Sequence, residues 1–169
     1  SDSLGGKMKK IIILSLLLLF VFSLSAVTVV EDRIGLLSES EKEYVKSKLD
    51  KASLESGLSL GVLITNGTDG KSDAVFADDY YDSVINDDDG VLLFLNYGDR
   101  SVYISTTGYG MYAVDDSGEE VVFDAMMPHL QRGEWAEAFS IFASSVLELS
   151  KDYPYSAYEN TTYDINTGR

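Results

Sequence analysis

A chain of 169 residues with 28 acidic against 13 basic side chains, a net charge of −15 and no cysteine is long enough for one domain with its own core. The charge argues against nucleic acid and anionic lipid headgroups as partners, since both would be repelled. With no cysteine there is no disulfide framework, so the core must hold the fold. The single histidine, His129, excludes zinc sites built on two or more His or Cys, and leaves a Ser-His-Asp triad only if that one residue serves it.

In chain order, Ser1–Lys7 reads as a cloning remnant before a native start at Met8. Residues 8–26 have the plan of a secretory signal peptide: Lys9-Lys10, the apolar run Ile11–Leu24, then the small residues Ser25 and Ala26 where cleavage is expected. This predicts an exported, extracytoplasmic protein. The alternative is membrane anchorage, through an uncleaved leader or a segment beyond Arg169.

The domain is expected over 27–152. Val27–Val30 is a short β-branched run. Ser38-Glu39-Ser40-Glu41 is a capping box, and the helix it opens places Val45, Leu49 and Ala52 on one face before Gly57 stops it. Leu58–Thr65 alternates as a strand with Leu58, Leu60, Val62 and Ile64 on one side. Thr65–Ser72 ends like a phosphate-binding loop, in Gly70-Lys71-Ser72, but Thr65 stands where its first glycine belongs, so an ordinary loop is expected. A second helix from Ser72 or Asp73 has Phe76, Ala77, Tyr80, Tyr81 and Val84 inward and Asp78, Asp79 and Asp82 outward.

Asp87-Asp88-Asp89-Gly90 then runs into Val91-Leu92-Leu93-Phe94-Leu95, a buried strand. A turn at Gly98-Asp99 returns the chain as Ser101–Thr106, with Val102 and Ile104 inward, which brings Thr107–Gly110 beside the three aspartates. Ser117-Gly118-Glu119-Glu120 reads as a second capping box, opening a helix with Val121, Val122, Ala125 and Met126 that Pro128 should end or kink. After Gly133 a last helix carries Ala136, Phe139, Phe142, Ala143, Val146 and Leu147 inward. Residues 153–169 lack periodicity and are expected to be a linker or tail, most of 155–169 making few contacts with the domain. The β-α-β-β-α-α order predicts an α/β fold, an α/β/α sandwich with helices on both faces of a small mixed sheet.

Three adjacent carboxylates repel one another, and a hard cation would offset them by accepting their oxygens as ligands. Asp88 and Asp89 are the expected ligands for Ca2+ or Mg2+, with Asp87 next and Asp115 or Asp116 as outer ligands. Neither familiar frame for such a run applies. With Gly90 at position 6 of a calcium-binding EF-hand loop, positions 1 and 12 would be Ile85 and Asn96, which lack the carboxylates. In aspartyl-phosphate phosphatases the apolar strand precedes the Asp pair, whereas here it follows.

Taken together, Val30-Glu31-Asp32 with Gly35-Leu36-Leu37-Ser38, Phe76-Ala77, Asp89-Gly90-Val91-Leu92-Leu93, Asp99-Arg100, Gly108-Tyr109-Gly110, Pro128 and Gly133-x-Trp135 resemble the TPM domain family over about Val29–Leu149. The family's aspartate–asparagine–glycine before the core strand stands here as Asp88-Asp89-Gly90, one charge more acidic. The resemblance implies an α/β/α sandwich, exported or membrane-tethered, that binds a divalent cation, and it adds Asp32 to the ligand set. Some relatives are described as acid phosphatases and others as acting in assembly or repair of membrane complexes. The expectation drawn from this is a monomeric, cation-binding module supporting a membrane protein complex. The alternative is a weak metal-dependent acid phosphatase using the same acidic site.

Overall fold

The computed structural model describes residues 26–159; the expected cloning remnant, the expected signal peptide up to Ser25 and residues 160–169 of the expected tail lie outside the described residues. Four strands, β1 (Thr28–Asp32), β2 (Ser59–Thr65), β3 (Gly90–Asn96) and β4 (Ser101–Thr107), form one sheet in the order β1-β2-β3-β4. The first three run parallel and β4 is antiparallel to β3. The helices are α1 (Glu39–Ser56), α2 (Asp73–Tyr80), α3 (Tyr109–Ala113), α4 (Asp116–Arg132), α5 (Trp135–Asp152) and α6 (Tyr155–Glu159).

Both central strands are buried throughout, which is why they read as near-continuous apolar runs. Their period of two divides them between two cores. Leu60, Val62, Ile64, Val91 and Leu93 pack with Val45 and Leu49 of α1, Val122 and Met126 of α4, and Phe139, Phe142 and Val146 of α5. Leu63, Leu92 and Phe94 face the other way onto Ala77, Tyr80, Tyr81 and Ile85. Three long helices therefore cover one face and α2 with its extension covers the other, the expected sandwich. Ile104 is buried in the larger core, and Val102 packs at its edge, half-buried. The Ser38–Glu41 capping box and the left-handed Gly57 bound α1 as the sequence predicts.

Four local expectations need correction. The second helix passes from α2 into a single π turn, Tyr81–Ile85, closed by Asn86 in the left-handed conformation. The extra residue in that turn rotates the face, so Ile85 is buried and Val84 exposed. The helix after α3 starts two residues earlier than the Ser117 box, because the Asp115 carboxylate accepts from the Gly118 amide and is itself the N-cap. Its phase buries Val122, Met126 and Leu130 and leaves Val121 and Ala125 exposed. Pro128 does not end α4; it lies on the exposed side, where water can take up the carbonyl its missing N–H leaves free.

The fourth correction concerns the tail. Tyr153, Tyr155 and Tyr158 pack on Tyr109 and Tyr112 with ring centroids 5.1–5.9 Å apart. The Tyr109 hydroxyl donates to the carbonyls of Ser150 and Tyr153, 3.0 and 2.9 Å away. Aromatic clustering, invisible to a search for 3.6-residue periodicity, docks this segment.

Candidate functional site at the acidic end of the sheet

Because β2 and β3 are parallel and Ser59 pairs with Gly90, the Asp87–Asp89 loop enters the sheet beside the start of β2. Gly90 also pairs with Thr107 of β4, so the turn into α3 lies against the same loop, as the hairpin predicts. The fit there is close. A Cβ on Gly108 would collide with the Asp88 carbonyl oxygen and the Asp89 carboxylate, and its φ of +53° is one a side chain rarely adopts. The Asp89 Oδ1 accepts from the Tyr109 amide at 2.6 Å, capping the start of α3.

Two of the three carboxylates therefore hold the chain together. Asp87 accepts from the Ser59 hydroxyl at 2.7 Å and from the Asp89 amide at 3.3 Å. The same Ser59 oxygen accepts from the Val27 amide at 2.7 Å, tying the entry of β1 to the loop. The Tyr81 hydroxyl donates to the Asp87 carbonyl at 3.0 Å. Asp88 is different: it is exposed, and among the described residues its carboxylate has no hydrogen-bond or ion-pair partner. Asp87 and Asp89 also line a cleft with Glu55, Gly57 and Tyr155, so α6 borders the loop.

The electrostatics agree with this picture. Burial pushes the Tyr81 phenol up, and the charges of Asp87, Asp89, Asp82 and Asp88 push it further the same way. No lysine or arginine forms an ion pair with any of these four carboxylates among the described residues.

The other sequence-expected ligands lie elsewhere. Asp32 ends β1 and is in register with Ile64, itself paired with Leu95, whereas the acidic loop joins at Gly90. Five residue steps at about 3.3 Å place Asp32 roughly 16 Å away, at the opposite end of the sheet. There it accepts from the amides of Ile34 and Leu37, at 3.1 and 2.8 Å. Burial raises its carboxyl, but backbone donation from Leu37, Leu36 and Ile34 outweighs this and holds it below the usual range. Asp115 and Asp116, both exposed, border a separate cleft with Thr106, Met111 and Glu119. Glu119 is pushed up by burial and by Asp116. The structure thus brings Asp87, Asp88 and Asp89 together and leaves Asp32, Asp115 and Asp116 outside. The roles of Ser59 and Tyr81 had no sequence signal, since each depends on strand register or on the π turn.

Calcium takes six to eight oxygens. The loop offers the Asp88 carboxylate and the second oxygen of Asp89, and among the described residues no three acidic or histidine side chains are grouped closely enough to cage an ion. The donor chemistry suits a hard cation that keeps most of its water, held at an open site.

The model of the TPM domain family matches residues 30–149 of the chain. No curated protein matches it. The solved structures similar to it include three determined by NMR. One is the N-terminal domain of a protein from P. gingivalis, 26% identical with a TM-score of 0.61 over 73% of this chain and 82% of that one. Another is the N-terminal domain of the cg2496 protein from Corynebacterium glutamicum, 16% identical with a TM-score of 0.59 over 76% and 81%. The third is the BA42 protein from Bizionia argentinensis, 16% identical with a TM-score of 0.58 over 70% and 85%. The two 16% likenesses concern the fold alone.

Proposed function

The chain belongs to the TPM domain family, and from that premise we propose that it is a non-enzymatic, extracytoplasmic module whose Asp87–Asp89 loop takes up a divalent cation, calcium or magnesium, in support of a membrane protein complex. The observation that carries the cation reading is the adjacency of Asp87, Asp88 and Asp89 in the loop before β3, with the Asp88 carboxylate exposed and unpartnered and no ion-paired cation beside the three among the described residues. Bound charge there relieves repulsion that the fold itself leaves in place. Asp88 and the free oxygen of Asp89 would be the protein ligands, water the rest. An open, water-rich site fits the weak affinities, about 0.1–1 mM, of extracellular calcium modules. Export rests on the leader pattern of residues 8–26, and the membrane-complex role on the family resemblance. Among the described residues no helix is long and apolar enough to cross a membrane.

The phosphatase alternative has less to support it. Ser59, the hydroxyl bonded to Asp87, is fully buried and serves the Val27 amide, and the surrounding charge repels a phosphate. Thermal unfolding of the full chain with and without calcium tests the proposal. With a dissociation constant of about 1 mM, 10 mM calcium stabilises by about 1.4 kcal/mol, a rise of several degrees. Asp88→Asn with Asp89→Asn abolishes that rise and leaves the fold intact, because the carboxamide introduced at position 89 still presents an acceptor oxygen to the Tyr109 amide. An equal rise in wild type and double variant would overturn the assignment.

A further inference from the structure

At the far end of the sheet, where β3 ends, the hairpin turn meets the junction of α4 and α5 and encloses a pocket of about 250 Å³. Its apolar lining is Leu95, Val102, Met127, Leu130 and Trp135, and Tyr97, Arg100 and Gln131 complete it. Tyr97 meets Trp135 edge to face with centroids 5.7 Å apart, and the Arg100 guanidinium lies over the Tyr97 ring at 5.0 Å. The turn is rigid: the buried Asn96 amide donates to Asp99 and Asp73, at 2.8 and 3.0 Å, and its oxygen accepts from the Asp99 amide at 3.3 Å. Arg100 itself has a φ of +57°, a conformation costly for a residue with a side chain.

The charge on Arg100 is the informative feature. In a chain with more than two carboxylates for every basic residue, Arg33, Lys42, Lys46, Lys71, Arg132 and Lys151 all find acidic partners, whereas Lys48, Lys51 and Arg100 have none among the described residues, and of these three only Arg100 lines this pocket. Arg132, at the junction of α4 and α5, is already committed to Glu134 at 2.8 Å. A guanidinium on an aromatic wall, at the mouth of an apolar pocket, matches an anion that carries an apolar group. A monoanionic carboxylate suits it better than a dianionic phosphate, which the net charge of −15 repels more strongly. The volume lies below the roughly 300–1,000 Å³ of sites for drug-sized ligands and suits a single side chain. Arg100, Met127 and Gln131 are exposed, so the pocket opens where the guanidinium stands and a chain can leave it there.

We propose that this pocket binds the C-terminal residue of a partner polypeptide, its apolar or aromatic side chain against Trp135 and Leu95 and its terminal carboxylate on Arg100. The site is independent of the acidic loop and of any cation bound there. Trp135 is the only tryptophan, so its fluorescence reports occupancy. The test titrates the full chain with acetyl-Gly-Gly-Phe as the free acid, the same peptide as its C-terminal amide, and 3-phenylpropionate. The free-acid peptide is expected to saturate the signal and to bind at least tenfold more tightly than the amide. Arg100→Asn, which suits the left-handed backbone and so leaves the melting temperature unchanged or higher, should erase that acid-over-amide preference, while Arg132→Gln should keep it. Equal binding of acid and amide, an unchanged preference in Arg100→Asn, or no saturable response at 10 mM peptide would overturn the proposal. 3-Phenylpropionate binding as tightly as the peptide would overturn the assignment to a chain end.

Discussion

Where β3 begins, Asp87, Asp88 and Asp89 crowd against Gly108 and Tyr81; where it ends, Tyr97, Arg100 and Trp135 border a pocket whose one positive charge has no acidic partner among the described residues. The first end is crowded with charge, yet two of its three central carboxylates are acceptors for the chain's own amides and hydroxyls. At the second, Asp73 and Asp99 are taken up by the Asn96 amide, and a cavity with Arg100 as its one charged lining residue is already formed. A run of acidic residues therefore marks a place where the backbone needs acceptors as well as a place where a ligand could bind, and only the hydrogen-bond partners separate the two uses. On that criterion Asp88 is the residue open to a ligand, and Asp87 and Asp89 are partly structural.

The largest expected effect tests how tightly the acidic end is packed. Gly108→Val forces a Cβ against the Asp88 carbonyl and the Asp89 carboxylate at an unfavourable φ, and should cost about 3 kcal/mol, lowering the melting temperature by on the order of 10 °C. An unchanged melting temperature would mean that the loop does not rest on this turn.

Asp32 sharpens the division between the ends. Asp32→Ala removes an acceptor from Ile34 and Leu37 and should cost about 1–2 kcal/mol at pH 7 in urea unfolding, with no loss of calcium response. Its folded carboxyl lies below its unfolded value of about 3.9. The stabilisation is therefore complete above that pH and fades as the pH falls through the folded value. Wild type and variant should converge in strongly acidic solution; a gap that widened there, or loss of calcium response, would place Asp32 in the wrong role.

Asp88→Asn has the smallest expected effect on stability. Asp88 is exposed and unpartnered among the described residues, beside other carboxylates, so its neutralisation should change apo stability by no more than a few tenths of a kcal/mol, towards stabilisation. Marked destabilisation on urea unfolding would show that Asp88, too, is structural.

Much of this was legible in the sequence. The Ser38–Glu41 box, Gly57 and the alternation of Leu60, Val62 and Ile64 are local signals, and local rules settle them. The approach of Thr107–Gly110 to Asp87–Asp89 follows from a short hairpin, whose geometry is nearly fixed by the loop length. The separation of Asp32 from that loop depends on β1 and β3 both running parallel to β2, which sequence spacing cannot convey. The pocket was beyond reach for the same reason. Its lining comes from a hairpin turn, the last turns of α4 and the first residue of α5, and no short window of sequence contains it. The tyrosines after residue 152 carry no periodic signal, because they dock by ring contacts on Tyr109 and Tyr112 rather than along a helical stripe.

The measurement that bears most directly on the cation proposal is a calcium titration of the full chain followed residue by residue through its amide NMR signals. Saturable shifts are expected at Asp87–Gly90 and at Gly108 and Tyr109 in the millimolar range, with Ile34–Leu37 unmoved. No shift at Asp87–Gly90, or shifts confined to the Asp32 loop or to the Asp78–Asp82 face of α2 and its π turn, would contradict it.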